Sequence, residues 1–273
     1  MIMKISRVAL NVGVALIALI WLVPTYLIVV NAFTPAKDYT GSPNWWFASA
    51  DIFTNIKAAF ASANVGAGML NSFLYAVVGG AIAVLAAALG AFGVTVIPVK
   101  RPGIWFWLIF IGTVLPLQTF LAPLFNGYAT LSLYDTQYGM ILVYAALAVP
   151  FAFFVNRNFM LTIPREVSEA ARLDGAGWLA MLVRVHLPLA KGALIAAFIF
   201  QFTWIWNDLL FGITLSISPN VRPVMATLAD LSGSYSTVGP PVILAGAIVA
   251  SLPTIVIFFA AQRFFVNSLR LTS

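Results

Sequence analysis

Long apolar blocks separated by short polar connections organise this chain, at residues 8–30, 69–97, 104–125, 138–155, 192–215 and 242–261. Several reach the ~20 residues that a helix needs to cross a ~30 Å hydrocarbon core. In lipid the backbone must satisfy its own hydrogen bonds, so the pattern predicts an all-α membrane protein with six transmembrane helices. The first block follows Lys4 and Arg7 and is longer than the ~7–15-residue core of a signal peptide, so it reads as a retained anchor.

These blocks divide the chain into an N-terminal anchor (1–31), an extracytoplasmic segment (32–68), a five-helix core (69–266) and a short tail (267–273). With both termini cytoplasmic, only Lys37, Lys57 and Arg222 of the fourteen Lys and Arg residues lie outside and the other eleven lie inside, as the positive-inside rule requires. The two sizeable external connections are 32–68, where Trp45 and Trp46 read as an aromatic belt, and 216–240, rich in Ser, Gly and Pro. Both are placed to face a partner outside the membrane. In the second block, Gly79, Gly80, Ala83, Ala86, Ala87, Gly90, Ala91 and Gly93 allow close helix approach and predict a deeply packed helix.

Composition sharpens the picture by exclusion. Apolar residues make up 62% of the chain and charged residues 8%, against roughly a quarter charged in soluble domains, so lipid is the solvent for most of it. The net charge of +6 is spread beside apolar blocks rather than gathered into a patch, which argues for orientation signals and against nucleic acid. The absence of cysteine removes disulfides, Cys-based zinc sites and thiol nucleophiles. One histidine, His186, remains; in Val185-His186-Leu187-Pro188 it reads as an interfacial or hydrogen-bonded structural group. With the carboxylates almost wholly in loops, no catalytic and no metal-binding residues are expected.

Asp208, in Trp204-Ile205-Trp206-Asn207-Asp208, is the one ionisable candidate at membrane depth, placed to cap a helix, line a pathway or meet external water. A single carboxylate is a thin basis for an ion-coupled secondary transporter, the alternative reading; a membrane scaffold is another. Asn71, Gln118, Gln201, Trp204, Asn207 and Asp208 are polar or aromatic groups in otherwise apolar blocks and candidates for a translocation pathway, although such groups also serve helix packing at about 0.6 kcal/mol each. No Gly-x-x-x-x-Gly-Lys-[Ser/Thr] phosphate cradle occurs, so ATP-driven work needs an ATPase on another chain.

The largest cytoplasmic connection, 156–191, carries the most specific pattern. Pro164 suits a first helical position, Glu166 and Glu169 favour the positive end of the dipole, and Gly175 is a natural stop, which predicts a helix over 164–174. Val167, Ala170 and Ala171 make a small apolar face; Arg165, Glu169 and Arg172 make a charged one. A second amphipathic piece, with Trp178, Met181, Leu182 and Val185 on one side, precedes Leu187-Pro188. The two form a rigid elbow or, alternatively, an interfacial helix pair lying on the bilayer.

Glu169-Ala170-Ala171, Asp174-Gly175 and Leu187-Pro188-Leu189 resemble, in order and spacing, the EAA loop of the binding-protein-dependent permeases of ABC importers. Asn71-Ser72, Pro150-Phe151, Ile163-Pro164-Arg165-Glu166, Trp206-Asn207-Asp208 and Gln262-Arg263-Phe264-Phe265-Val266 extend the resemblance to the sugar-importer branch, of the type of the smaller maltose permease. The resemblance implies a type I importer bundle of six helices in the bacterial inner membrane, entered and left from the cytoplasm. Its partners are a second homologous permease, two ATPase subunits, an extracytoplasmic solute-binding protein and a sugar or sugar-like solute. No cofactor is implied in this chain, ATP and Mg being held by the ATPase. Glu166, Glu169, Ala170, Ala171, Arg172, Asp174 and Gly175 form the implied ATPase contact. The 216–240 loop either reaches toward the binding protein's sugar pocket or serves as a plain connection. The family's glycine-rich ending is missing, which leaves the tail without an implied role.

Overall fold

The computed structural model describes residues 7–233 and 238–270, and every regular element among them is a helix. Two compact units share the chain: Met1–Val65 with Leu228–Leu252, and Gly66–Thr227 with Pro253–Ser273.

In the first unit, α1 (Arg7–Ala32) is apolar and exposed along nearly its whole length, as a helix facing lipid should be. Its end is tied to the segment that follows. Asn31 donates to the Leu27 and Asn44 carbonyls and accepts from the Asn44 N–H. The buried Asn55 amide, on α2 (Ile52–Ala63), bonds the Ala32 and Thr34 carbonyls at 2.9 and 2.8 Å. The predicted external segment 32–68 therefore contains a helix of its own.

The second unit begins with α3, a 31-residue helix (Val65–Thr95) that passes through a π-helical turn at Tyr75–Gly79. It starts ahead of the predicted position 69. α4 (Pro102–Val114) and α5 (Leu117–Thr130) are the expected third span, but they meet at 94°. The break lies at Leu115-Pro116: the residue before a proline is pushed out of helical conformation, and Leu115 has ψ 132°. α6 (Gln137–Met160) begins at a Thr136 cap, whose hydroxyl accepts the Gly139 N–H at 3.1 Å, and runs on through Pro150.

α3 and α6 are the central pair of this unit. Ala83, Ala87 and Ala91 of α3 and Ala148 and Ala152 of α6 are buried to 1% exposure or less. Small side chains bring the backbones close where lipid removes the hydrophobic drive and dispersion must hold the helices. Toward one end, Phe92, Phe153, Met160, Met181 and Leu182 complete a core cluster.

α7 (Arg165–Leu173) and α8 (Trp178–Leu189) follow, then α9 (Lys191–Trp206), bent 74° from α8. The predicted fifth span, 192–215, therefore ends at Trp206, and a separate short helix, α10 (Leu210–Leu215), comes after a break at 207–209. α11 (Val224–Leu231) occupies part of the predicted 216–240 loop, and α12 (Pro240–Arg270) is the last span. Among the described residues four helices are long and apolar enough to cross a membrane, or up to six spans when each bent pair is counted as one.

Candidate functional site

α7 is a short helix whose ends are set by its sequence. Pro164 (φ −57°, ψ 141°) is the cap rather than the first helical residue. Glu166 lies in the first turn and Arg172 in the last, each complementing the local end of the helix dipole. At the far end the Gly175 N–H bonds the Arg172 carbonyl at 3.0 Å and the Ala176 N–H bonds the Ala171 carbonyl at 2.9 Å, with Gly175 at φ +83°. This crossed pair is a Schellman closure. Conformation rather than space calls for glycine there, since a Cβ would meet nothing within 4 Å.

The helix is held from beneath by Ser168, whose hydroxyl lies 3.0 Å from His186 Nε2. His186 is buried in a π-helical turn of α8 and packs edge to face on Phe92 at 5.1 Å. Val167, Ser168 and Ala171 turn inward, while Glu166, Glu169, Ala170, Arg172, Asp174 and Gly175 are exposed. Ala170 thus does not join the small apolar face predicted for it. At 3.6 residues per turn it points roughly a quarter turn away from the direction shared by Val167, Ser168 and Ala171.

The sequence reading missed Leu173. It is apolar, stands between Arg172 and Asp174, and is 90% exposed; the only available signal was an apolar residue stranded among charges. A cavity of about 290 Å³ lies beside the helix, with Arg165, Glu169, Arg172 and Trp178 in its lining, and the Arg172 guanidinium stands 5.3 Å from the Trp178 ring.

A second cavity, of about 350 Å³, opens beside the α4–α5 break. Thr113 and Leu117 line it from either side of the break, Phe151 from α6, and Phe200, Gln201 and Trp204 from α9. Gly112 permits the close approach of α4 to α6 there, since a Cβ would stand 2.8 Å from Pro150 Cγ. Phe151 and Phe200 meet edge to face at 5.7 Å, and Trp204 meets Tyr144 at 6.2 Å. Of the six pathway candidates, Gln201 and Trp204 are brought together here.

The other four do not line this cavity, and three of them have local hydrogen-bonding duties. Asp208 Oδ2 accepts from the Tyr144 hydroxyl at 2.9 Å and from the Phe211 and Gly212 N–H groups at 3.0 and 3.1 Å, capping α10. Asn207 folds its amide back onto the Thr203 carbonyl at 2.7 Å, and Gln118 is exposed on the first turn of α5. Asn71 donates to the Pro219 and Arg222 carbonyls and accepts from Gln137.

Asn71 belongs to a clasp that straps 216–224 to α3 and to the start of α6. The Tyr75 hydroxyl donates to the Val221 carbonyl at 2.6 Å, Gln137 to the Asn220 carbonyl at 2.8 Å, and the Val224 N–H to the Ser72 hydroxyl at 2.9 Å. Asp135 accepts the Ile217 and Ser218 N–H groups and the Ser218 hydroxyl. Partial burial pushes the Asp135 carboxyl up, but these hydrogen bonds and the Arg222 charge outweigh it and hold its pKa below the ordinary value. The front of the predicted 216–240 loop is therefore a fixed strap; residues 234–237 lie outside the described residues, as do 271–273 of the predicted tail. Among the described residues, no group of three or more His, Asp or Glu side chains is placed to hold a metal.

The family of proteins described as "Binding-protein-dependent transport system inner membrane component" matches residues 83–271, a stretch that contains α7 and most of both cavities. The osmoprotective compounds uptake permease protein GgtD of Synechocystis is 29% identical across 97% of this chain and 91% of its own length. The sn-glycerol-3-phosphate transport system permease protein UgpE of Yersinia pestis is 30% identical across 96% of this chain and 94% of its own. A chain of a bacterial ABC transporter involved in import of the acidic polysaccharide alginate has the same fold, with a TM-score of 0.78 at 21% identity over 94% of this chain and 95% of that one.

Proposed function

We propose, from the premise that this chain belongs to the binding-protein-dependent transport system inner membrane components, that it couples ATP hydrolysis by a partner to the import of a sugar or sugar-like solute. Family membership makes it a multi-pass permease subunit of the inner membrane. The ATPase partner, the companion permease, the solute class and the residues of contact are the proposal.

The observation that carries it is α7: a rigid helix, closed by a Schellman turn and pinned through Ser168 to His186, that presents Glu166, Glu169, Arg172 and Leu173 outward. Leu173 serves as the apolar anchor in a cleft of the ATPase, and the surrounding charges set register and exclude wrong partners. The chain has no phosphate cradle of its own, so nucleotide binding belongs to that partner, which meets α7 on the cytoplasmic side. When ATP draws two such partners together, α7 and α8 move as one lever because Ser168, Ala171 and the π-helical turn join them. The spans behind them then alternate between inward and outward access, with ATP binding favoured in one of the two states.

The relative named for sn-glycerol-3-phosphate supports a small hydroxyl-bearing solute, delivered by an extracytoplasmic binding protein. Native mass spectrometry of this chain, purified in mild detergent from its own cells, tests the assembly. One copy beside a second permease and two ATPase subunits is expected; a lone chain active in ion-driven uptake would overturn the reading.

A further inference from the structure

We infer that the cavity between α4, α6 and α9 is a solute-contact site contributed by this subunit, binding one or two rings of a sugar or similar polyhydroxylated solute as it crosses the membrane. The inference rests on the importer reading above and adds to it a place and a chemistry.

Gln201 points to the ligand. It sits in the apolar helix α9, only 4% of it is exposed, it lines the cavity, and its amide bonds no other described residue. The polar side chains near it on α9 and at its end are accounted for: Asn207 by Thr203, Asp208 by Tyr144 and the α10 cap, Thr203 by the Ile199 carbonyl; the fully buried Asn156 of α6 also lacks a partner but lines neither cavity. An amide inside a membrane bundle with no protein partner, open only to the cavity it lines, is costly, and polar groups kept at such depth mark pathways. Gln201 brings two N–H donors and one carbonyl acceptor to a single point, which matches a hydroxyl pair that both donates and accepts.

The rest of the lining fits the same ligand. Trp204, Phe151 and Phe200 line the same cavity with aromatic surface, suited to the C–H face of a sugar ring, and Thr113 of α4, whose hydroxyl donates to the Phe110 carbonyl, keeps an acceptor lone pair there. The volume, about 350 Å³, lies at the small end of the ~300–1,000 Å³ of ligand cavities, which suits one or two rings rather than a long oligomer. The walls carry no charge, so selection here rests on shape and hydroxyl pattern. A lipid chain would fill the apolar part and leave the amide unpaired. A helix of the companion permease would satisfy the amide only by closing the cavity.

The test uses the whole importer in lipid vesicles, with its binding protein as purified from cells and still carrying its endogenous solute; mass spectrometry reads the solute delivered per ATP hydrolysed. Gln201→Leu, similar in size but without the amide, is expected to keep binding-protein-stimulated ATP hydrolysis within about twofold and to lower delivery per ATP by about tenfold, the equivalent of one lost hydrogen bond in the crossing state. Unchanged delivery would overturn the solute site and leave the importer reading standing. A wild-type complex whose ATP hydrolysis ignores the loaded binding protein would overturn the importer reading itself.

Because the chain has no cysteine, Thr113→Cys reports access independently. Labelling in the assembled importer by a charged, water-soluble thiol reagent supports an aqueous solute site. Labelling only by a bilayer-soluble reagent identifies a lipid groove, and labelling of the isolated chain but not of the complex identifies a permease contact; either result overturns the inference.

Discussion

Asp208 is the residue whose replacement best separates a structural carboxylate from a transporting one. Three donors converge on Oδ2: the Tyr144 hydroxyl and the N–H groups of Phe211 and Gly212, at 2.9, 3.0 and 3.1 Å. Asp208→Ala removes a helix cap, which costs about 0.5–2 kcal/mol. It also leaves the hydroxyl of fully buried Tyr144 without an acceptor, a further cost of about 1–3 kcal/mol. The sum is centred near 3 kcal/mol. Tyr144→Phe loses only one hydrogen bond and leaves the cap intact, so about 0.5–1.5 kcal/mol is expected. Asp208→Asn keeps one acceptor oxygen without the charge that strengthens its bonds and falls between the two. Unfolding in mixed micelles, followed by tryptophan fluorescence, gives the three values, and the Asp208→Ala/Tyr144→Phe double variant closes a cycle in which the shared bond appears as about 0.5–3 kcal/mol of non-additivity. Strict additivity, or an Asp208→Ala variant no less stable than Tyr144→Phe, would refute the argument that this carboxylate is a cap.

Two further predictions concern α7 and the clasp. Gly175→Val forces a β-branched residue to φ +83°, a strain of about 1–2 kcal/mol or more, so hydrogen exchange across 165–175 should quicken by about 5–30-fold. Gly175→Asn, which tolerates that conformation, should have a smaller effect; equal exchange in the wild type and the valine variant would remove the Schellman closure as the reason for glycine. For Asp135, the folded pKa lies below the ordinary value, so its contribution is complete above the unfolded pKa of about 3.9 and is lost as pH falls through the lower folded value. Asp135→Asn should therefore expose 216–224 to limited proteolysis at neutral pH, and the difference from wild type should vanish in strong acid; a difference that persists there would disprove the linkage.

Much of the fold was readable because lipid imposes a one-dimensional rule: apolar length decides what can span, and the backbone must then be helical. The blocks at 8–30, 69–97, 138–155 and 242–261 correspond to α1, α3, α6 and the apolar part of α12 (Pro240–Ala260) within about five residues. The α7 helix was equally readable, because caps and dipole partners act over three or four residues. The bends were not. Leu115-Pro116 carried a signal for the 94° turn, but hydropathy averaged over the block hides it, and the stop at Trp206 shows only in the bonds that Asp208 makes.

Sequence alone determined the membrane class, the number of apolar blocks and the short helix at 165–173, since each depends on composition or on neighbours along the chain. Tertiary structure alone decided which polar side chains have work elsewhere: Asn71 and Asp135 hold a strap whose partners lie 82 to 151 residues away, and Asp208 closes a cap that also reaches Tyr144. It also decided that the Gln201 amide bonds no other described residue. Hydrogen-bond satisfaction is a property of three-dimensional neighbours within about 3 Å, so no reading of one strand of residues can tell a buried amide that is occupied from one that is waiting.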